Sequence, residues 1–163
     1  MITQSQLRDL LYYHPESGDF VWLATQGNRV NGRQAGHLCK MGYIHIRIDG
    51  YLYKAHRLAW LYTHGKFPPD EIDHTNCVKA DNRIKNLRAA THAENMRNTK
   101  KYSTNTSGYK GVEWIKRRNR WRAMIRIGDG KTKFLGYFFN IDDAVEAYRD
   151  AAAKFHGKFA RIT

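Results

Sequence analysis

An acid and a histidine stand side by side near the middle of the chain, at the start of the stretch DHTNCVKADNRIKNLR. Hydrolysis of a phosphodiester needs a base that deprotonates water and a cation that neutralises the developing charge. The imidazole of His74 can accept a proton near pH 7, and the carboxylate of Asp73 is a hard oxygen ligand for Mg²⁺. The pair could supply both parts of such a site, and the alternative is a solvated turn in a polar loop.

Asparagines and basic side chains surround the pair. An amide carbonyl can ligate a hard cation without adding charge, and the whole amide can fix a loop through hydrogen bonds on both sides. The arginines at positions 83 and 88 could contact phosphates or simply be solvated. The stretch therefore holds residue types that suit a metal-assisted hydrolase.

Hydrophobic periodicity predicts the elements before the pair. Thr3 and Gln6 form a capping-box pattern, and Ile44, Ile46 and Ile48 alternate ahead of an Asp-Gly turn. The predicted elements are a short helix at 4–13, a strand at 19–23, a β-hairpin around Asp49-Gly50, and a helix from His56 to Gly65 that Pro68 and Pro69 end.

The sequence after the Asp-His pair predicts a helix, a linker and a small α+β unit. A helix is predicted for the stretch after Thr91, HAENMRNTKK. A linker is predicted for KKYSTNTSG, because this stretch lacks apolar periodicity. Three strand patterns follow, YKGVEWI, RWRAMIRIG and KTKFLGYF, with a turn at Gly128-Asp129-Gly130. Asn140 caps a final helix, whose apolar stripe can pack on the sheet and consists of Ile141, Ala144, Val145, Tyr148, Ala152 and Phe155.

The order AHRLAW, IDH, DNRIKNLR and THAENMRN resembles the HNH endonuclease family, in the subgroup of phage and intron-encoded homing nucleases whose last motif residue is asparagine. The resemblance runs from about Leu7 to Asn98. Asn86 falls twelve residues after His74, and Asn95 falls twenty-one after it on a predicted helix. Members of that family fold the motif as a ββα-metal unit, two short antiparallel strands joined by a long loop and followed by a helix.

The resemblance implies a role for each motif residue. His74 would be the general base, and Asp73 and Asn95 would hold one divalent cation, Mg²⁺ or Mn²⁺ rather than zinc. Asn86 would tie the loop to the strands. These four residues form the predicted catalytic set.

The resemblance also implies roles for residues around that set. Arg83 and Arg88 would contact phosphates, or pack on the surface. Asn82 would be a structural loop residue, and His56 would be buried and hydrogen-bonded rather than catalytic. Cys77 stands where a glycine is common in the family, and a positive φ there would cost a cysteine roughly 1 kcal/mol.

The formal net charge of +13 predicts a polyanionic partner, most often nucleic acid, and the alternative is a merely basic surface. Residues 99–163 carry fifteen Lys and Arg against six Asp and Glu, whereas residues 1–98 carry thirteen against nine. The C-terminal part is therefore the stronger predicted anion binder.

Cysteine usage and hydropathy restrict the class of protein. Cys39 and Cys77 are the two cysteines of the sequence, which excludes a disulfide framework and a four-cysteine zinc site and suits a reducing cytosol. No apolar run approaches the roughly 20 residues of a membrane span, and Met1 leads into polar sequence without a signal-peptide pattern. We expect a cytoplasmic protein without membrane contact, in a phage-infected or bacterial host cell.

Residues 107–163 resemble a second family, the DNA-binding domain of plant ethylene-response factors of the APETALA-two type. The resemblance is carried by four stretches: SGYKGVEW, RWRAMIRI, FLGYF and DDAVEAYRDAAAKFHG. In that family a three-stranded sheet lies in the major groove of DNA, which accepts a small β-surface. Glu113 and Met124 depart from the plant pattern, so the plant target sequence is not transferred.

Strand alternation predicts which side chains of this domain meet DNA. Arg120, Arg122, Met124 and Arg126 share one face of the middle strand, while Trp121, Ala123 and Ile125 face the helix. The resemblance adds Lys110, Thr132 and Phe134 to the predicted DNA-binding residues. The basic cluster of Lys116, Arg117 and Arg118 is also predicted to bind DNA, and a solvated hairpin is the alternative.

Together these features predict an α+β protein. The predicted HNH nuclease domain spans 1–98, with an N-terminal β-hairpin region and a ββα-metal motif at about 70–98. A predicted linker at 99–106 leads to an ethylene-response-factor-like domain at 107–163. The predicted function is site-directed, nicking, homing-type endonuclease activity on double-stranded DNA, by a monomer or dimer. The main alternative is a catalytically inactive DNA-binding regulator, and an RNA target is a weaker option because strand readout suits B-form DNA better.

Overall fold

The computed structural model describes residues 1–24, 27, 29–99, 101, 103–128 and 130–161. The chain divides into two compact units, Met1–Thr91 and His92–Thr163. Both mix short helices with small antiparallel sheets, so the predicted α+β class is confirmed. The division falls just before the helix that the sequence assigns to the nuclease domain, and the domain bounds at 98 and 107 stay a prediction. Within the described ranges, no helix is both long and apolar enough to cross a membrane.

The first unit begins with helix α1 (Gln4–Leu10) and the hairpin of β1 (Leu11–His14) and β2 (Asp19–Trp22). The capping box of Thr3 and Gln6 is present. The predicted extension of this helix to residue 13 was wrong. Leu11 has an extended backbone, because β1 pairs with β2 in a register that buries Leu11 and Tyr13 and leaves Tyr12 exposed. Strand pairing and burial at a period of two outweigh the helical pattern here.

A three-stranded sheet and a second helix complete the core of this unit. Strands β3 (His37–Leu38), β4 (Ile44–Ile48) and β5 (Tyr51–Lys54) pair antiparallel, and the predicted turn at Asp49-Gly50 has positive φ at both residues. Such a turn matches the twist of a hairpin. Helix α2 (Ala55–His64) follows and ends at Gly65, as predicted. The fully buried side chains of this core include Leu7, Leu11, Phe20, Ile46, Ile48 and Leu58.

A two-stranded antiparallel sheet carries the Asp-His pair. Strand β6 (Glu71–His74) pairs with β7 (Leu87–Ala90), and the loop between them ends in a 3₁₀ turn at Ile84–Asn86. Helix α3 (His92–Asn98) follows in the chain and belongs to the second unit. The order of strand, long loop, strand and helix is the predicted one.

The second unit contains a three-stranded antiparallel sheet packed on one helix. Strands β8 (Val112–Ile115), β9 (Arg120–Arg126) and β10 (Thr132–Phe138) lie in the order β10-β9-β8, and helix α4 (Ile141–His156) covers one face. The three predicted strands, the Asn140 cap and the buried helix stripe are confirmed. Asp129 in the predicted turn, and Lys100 and Tyr102 in the predicted linker region, lie outside the described residues.

Candidate active site and DNA-binding sheet

Asp73 and His74 are the last two residues of β6, and both are buried. Neighbouring strand residues point to opposite sides of a sheet, so the two side chains leave the strand in different directions. Arg88, directly opposite Asp73 on β7, donates from Nε to Asp73 Oδ2 at 2.7 Å and from Nη2 at 2.6 Å. The neighbouring strand therefore holds the carboxylate in place.

The imidazole of His74 lies in polar and aromatic surroundings. Its ring meets that of His56 edge to face, with the centroids 4.9 Å apart, and lies 6.1 Å from the ring of Tyr43. Burial lowers the pKa of His74, and the nearby side chain of Asn82 and the charge of Asp73 oppose that shift only in part. The imidazole is therefore neutral near pH 7, which is the form that can accept a proton.

His56 lies in the first turn of α2 and is 5% exposed, so its predicted burial is confirmed. Burial, and then the charge of His74, lower the pKa of His56 to about 3. Its Nδ1 has no hydrogen-bond partner among the described residues, so the predicted hydrogen bond is not made at that atom. The ring packs instead on Tyr43, at 5.3 Å between centroids, and on His74.

Asn86 joins the two ends of the loop between β6 and β7. Its Oδ1 accepts from the backbone N–H of Asn76 at 3.0 Å, and its Nδ2 donates to the carbonyl of Asp81 at 2.8 Å. Its own carbonyl accepts from the N–H of Thr75 at 2.9 Å. These three bonds fix the start of the loop against its end, immediately after His74.

Cys77 takes a left-handed backbone conformation, with φ at 59°. Its N–H donates to the carbonyl of His74 at 2.8 Å and closes a tight turn directly after the candidate base. A left-handed conformation costs a residue with a Cβ about 1 to 2 kcal/mol, and glycine avoids that cost. The loop therefore keeps the conformation that a glycine would favour, with a cysteine in its place.

Asn82 reaches His74 because the β1–β2 hairpin holds its backbone. The hydroxyl of Tyr13 donates to the carbonyl of Asn82 at 2.7 Å, and Asn82 Nδ2 donates to the carbonyl of Ala80 at 3.1 Å. Asn82 is 3% exposed, its Oδ1 has no hydrogen-bond partner among the described residues, and its side chain lies near enough to His74 to affect the pKa of the base. The first hairpin of the chain thus positions a residue at the site.

The two arginines predicted to contact phosphates both form ion pairs within the chain. Arg83 binds Asp81 through two bonds, Nε to Oδ1 at 2.7 Å and Nη2 to Oδ2 at 2.5 Å, and this pairing lowers the pKa of Asp81 to about 2. Arg88 is paired with Asp73. In this state the positive charge of each arginine is balanced by a carboxylate.

Asn95 lies on α3, half-buried, in the second unit. Its amide oxygen is a hard donor of the kind that Mg²⁺ prefers, and so is the carboxylate of Asp73 in the first unit. In the described part of the chain no group of three or more His, Cys, Asp and Glu side chains could hold a metal. Oxygen donors of these two types suit a magnesium ion that keeps water and substrate oxygens as its other ligands, and they do not suit a structural zinc site.

The predicted DNA-binding residues of the second unit largely share one open sheet face, opposite α4. Ala123 and Ile125 are buried against α4, and Trp121 packs against the same core, as alternation predicts. Across the strands, Arg122 faces Glu113 and Tyr137, while Met124 faces Phe134. The open face thus brings together Arg120, Arg122, Met124, Arg126, Thr132, Phe134 and Tyr137.

Arginines and aromatic rings alternate on this open face. The guanidinium of Arg118, on the 3₁₀ turn at Lys116–Arg118, lies 4.8 Å from the ring centroid of Tyr137, and that of Arg120 lies 3.3 Å from the ring of Phe139. Phe134 is 53% exposed and Phe139 79% exposed. Exposed cations and exposed rings on one small sheet suit contact with phosphates and bases.

Two of the predicted DNA-binding cations have partners inside the unit. Lys110 Nζ donates to the carbonyls of Arg97 and Thr99, at 2.8 and 2.9 Å, near the end of α3. Arg122 forms an ion pair with Glu113, its Nε lying 2.7 Å from Oε1. Their charges are therefore less available to a polyanion than those of the exposed Arg126 or Arg117.

Sequence reasoning missed two residues beside the base. It did not single out Tyr43, which lies far from His74 in the sequence, within a pattern that predicts only a strand. It assigned Asn82 to loop structure alone. The position of Asn82 in DNR, four residues before the motif asparagine Asn86, is the one signal that could have drawn attention to it.

Comparison with known proteins gives a similar solved structure and a similar plant protein. A solved structure titled "DNA binding and cleavage by the HNH homing endonuclease I-HmuI" is 20% identical, with a TM-score of 0.44 over 90% of this chain and 85% of that chain. The AP2-like ethylene-responsive transcription factor PLT2 of Arabidopsis thaliana is 34% identical over 106 residues, which are 64% of this chain and 19% of the plant protein. The chain therefore spans about a fifth of that relative's length.

A family model described as HNH endonuclease matches residues 53–97, which include α2, β6, β7 and most of α3. Protein 3.8 of Escherichia phage T7 is 35% identical over 118 residues, and the match covers 68% of this chain and 93% of the phage protein. The matched model contains the motif residues from His56 to Asn95. The chain belongs to the HNH endonuclease family.

Proposed function

We propose that this protein is a divalent-metal-dependent DNA endonuclease that nicks one strand at a site built around Asp73 and His74. The observation that carries the proposal is the state of His74. It is a buried imidazole, kept neutral by that burial, and it is adjacent in the chain to a carboxylate held by Arg88. A base prepared in this way suits removal of a proton from water near neutral pH.

In the proposed reaction, His74 takes a proton from the water that attacks phosphorus in line. Arg88 keeps the Asp73 carboxylate in a fixed orientation, and Asn86 holds the loop that follows the base. Asp73 and Asn95 would hold one Mg²⁺ or Mn²⁺. When bound, that ion neutralises charge at the phosphate and at the departing 3′ oxygen. The products would be a 5′-phosphate and a 3′-hydroxyl.

The open sheet face of the second unit would bind the duplex and supply most of any sequence preference. Its exposed arginines can contact phosphates, and its exposed rings can contact base edges in the major groove. Its resemblance to plant ethylene-response factors supports this role. Because the chain encodes one active site, one bound copy would cut one strand, and a second copy or a second visit would be needed to cut both.

A plasmid assay tests the proposal. Supercoiled DNA is incubated with the protein in Mg²⁺, Mn²⁺, Ca²⁺ or EDTA, and the ends of the products are mapped. We expect open-circular DNA to form before linear DNA, in Mg²⁺ or Mn²⁺ but not in EDTA, and we expect Asp73→Ala to prevent its formation. Absence of cleavage with every ion would overturn the proposal.

One observation favours a second candidate, a DNA-binding regulator without nuclease activity. The ion pair of Arg88 with Asp73 already balances the charge of the carboxylate that would hold the metal. A regulator of this kind would bind DNA tightly, and its affinity would not change on His74→Ala or on addition of Mg²⁺. The same plasmid assay separates the two candidates, because the regulator would leave supercoiled DNA intact.

A further inference from the structure

Two lysines of the first unit lie against one tyrosine ring. Lys54 Nζ is 4.7 Å, and Lys79 Nζ 4.9 Å, from the ring centroid of Tyr43. Lys54 is the last residue of β5, and Lys79 belongs to the loop between β6 and β7. A tyrosine ring attracts ammonium groups through the negative face of its π-system, so Tyr43 gathers two cations from separate segments.

This lysine pair lies beside the candidate base. The ring of Tyr43 contacts that of His56 and lies 6.1 Å from that of His74. The charge of Lys79 contributes to the lowered pKa of His74, and that of Lys54 contributes to the lowered pKa of His56. The charge of Lys79 therefore acts on the imidazole that would accept the proton, and that of Lys54 acts on the imidazole packed against it.

Neither lysine is balanced by a carboxylate, in contrast to the two arginines nearby. Arg83 is paired with Asp81, and Arg88 with Asp73. Across the described residues, Lys54 and Lys79 form no ion pair, and Lys79 Nζ donates only a 3.3 Å bond, to the carbonyl of Met41. Both are exposed. Either lysine can take up a new anion without breaking an existing ion pair, whereas Arg83 and Arg88 cannot.

We propose that Lys54 and Lys79, gathered on the ring of Tyr43, form a phosphate-binding subsite that holds the backbone of the cut strand next to His74. The inference rests on the proposed nuclease function and deepens it by assigning the backbone contact to these lysines rather than to Arg83 and Arg88. Lysine binds a phosphate as a compact point charge, and an exposed contact with a ring leaves the ammonium accessible for that purpose.

Binding and cleavage by the double variant Lys54→Gln with Lys79→Gln test the subsite. Affinity for a fluorescein-labelled duplex is measured in EDTA over a range of salt concentrations, and steady-state cleavage of the same duplex is measured in Mg²⁺. Each lost phosphate contact lowers the slope of log affinity against log salt by about 0.9, so we expect a decrease of about 1.8. We expect kcat/KM to fall about tenfold or more.

Matched variants separate local charge from total charge and from folding. Lys66→Gln with Lys85→Gln removes two positive charges from the same unit, away from Tyr43, and we expect a small change. Lys54→Arg with Lys79→Arg keeps both charges, and we expect most of the affinity and its salt dependence to return. Thermal unfolding of all three double variants checks that the fold is intact.

The outcomes distinguish this inference from the function on which it rests. If the wild type cleaves DNA and the Gln double variant has the same salt slope and kcat/KM as the Lys66 and Lys85 control, the subsite is overturned and the nuclease stands. If the wild type does not cleave DNA with any divalent ion, both are overturned. The subsite is supported if the slope of log affinity against log salt is smaller for the Gln double variant than for the wild type and returns to the wild-type value in the Arg double variant.

Discussion

Two imidazoles lie edge to face at the candidate site, and burial keeps both of them neutral. His56 has a folded pKa of about 3, and the pKa of His74 is also lowered. A histidine in the unfolded chain has a pKa of about 6.5, so the unfolded chain binds more protons than the folded one between these values. The free energy of unfolding must then fall as the pH is lowered from about 6.5 towards 3.

The variant His56→Phe tests whether His56 contributes to this pH dependence of the free energy of unfolding. It keeps an aromatic ring against His74 and removes the group that binds a proton at position 56. We expect the wild type to lose up to about 1.4 kcal/mol more stability per pH unit than the variant, between about pH 6 and pH 4. Urea unfolding at several pH values, followed by circular dichroism, measures the difference. Parallel stability curves for the two proteins would show that His56 does not titrate with a lowered pKa.

Residue types pointed to the candidate base and the acid, and the resemblance to the HNH family added the loop asparagine. The surroundings of the base could not be obtained in the same way. Tyr43 and His56 reach His74 only through the packing of β4, β5 and α2, and no local pattern encodes that contact. The pairing of Arg88 with Asp73 depends in the same way on the register of β6 and β7.

At the scale of elements, the β1–β2 hairpin supports the active-site loop. A Cβ at Gly18 in the hairpin turn would lie 2.5 Å from the backbone N of Arg83 and 2.7 Å from the carbonyl carbon of Asn82. Gly18 also has a φ of +83°. The hairpin can therefore approach the loop that positions Asn82 only because this residue lacks a side chain.

Gly18→Ala tests whether the hairpin controls the site. We expect it to lower the free energy of unfolding by about 2 to 4 kcal/mol, from backbone strain and overpacking together, and to slow cleavage because the loop that follows His74 is displaced. Gly50→Ala is the matched control, since Gly50 has a similar φ of +85° but no atom within 4 Å of its Cβ position. Equal losses of stability in the two variants would mean that the close approach is unimportant.

Periodicity located most of the longer helices and strands, and at the end of α1 it failed for an identifiable reason. Leu11 and Tyr13 continue a run that a short helix could use, yet they form β1, because Phe20 and Trp22 on β2 pair with them and complete a buried layer. The turn at Asp49-Gly50 and the C-cap at Gly65 were predictable, since both depend on local backbone preferences. Competition between a helix and a distant strand partner is not local, so sequence periodicity did not resolve it.

At the scale of the whole molecule, the excess positive charge of the C-terminal half predicts where DNA binding depends most on salt. Arg120 and Arg126 lie on the open sheet face, whereas Arg149 and Lys154 are exposed on α4, which covers the opposite face. Arg120→Gln with Arg126→Gln should lower the salt slope of DNA affinity by about 0.9 for each lost phosphate contact. Arg149→Gln with Lys154→Gln removes the same charge and should change the slope little. Equal slopes for the two pairs would mean that the sheet face is not the DNA-binding surface.

The central claim is that His74 is the base of a DNA-cleaving site, and single-turnover cleavage by His74→Ala tests it most directly. The variant is compared with the wild type and with His74→Gln, which keeps a polar side chain at this buried position, at saturating protein and in Mg²⁺. We predict that both variants cleave about 10² to 10⁴ times more slowly than the wild type, the usual contribution of a general base, while their affinity for DNA in EDTA is unchanged. Cleavage by the variants at the wild-type rate would contradict the assignment.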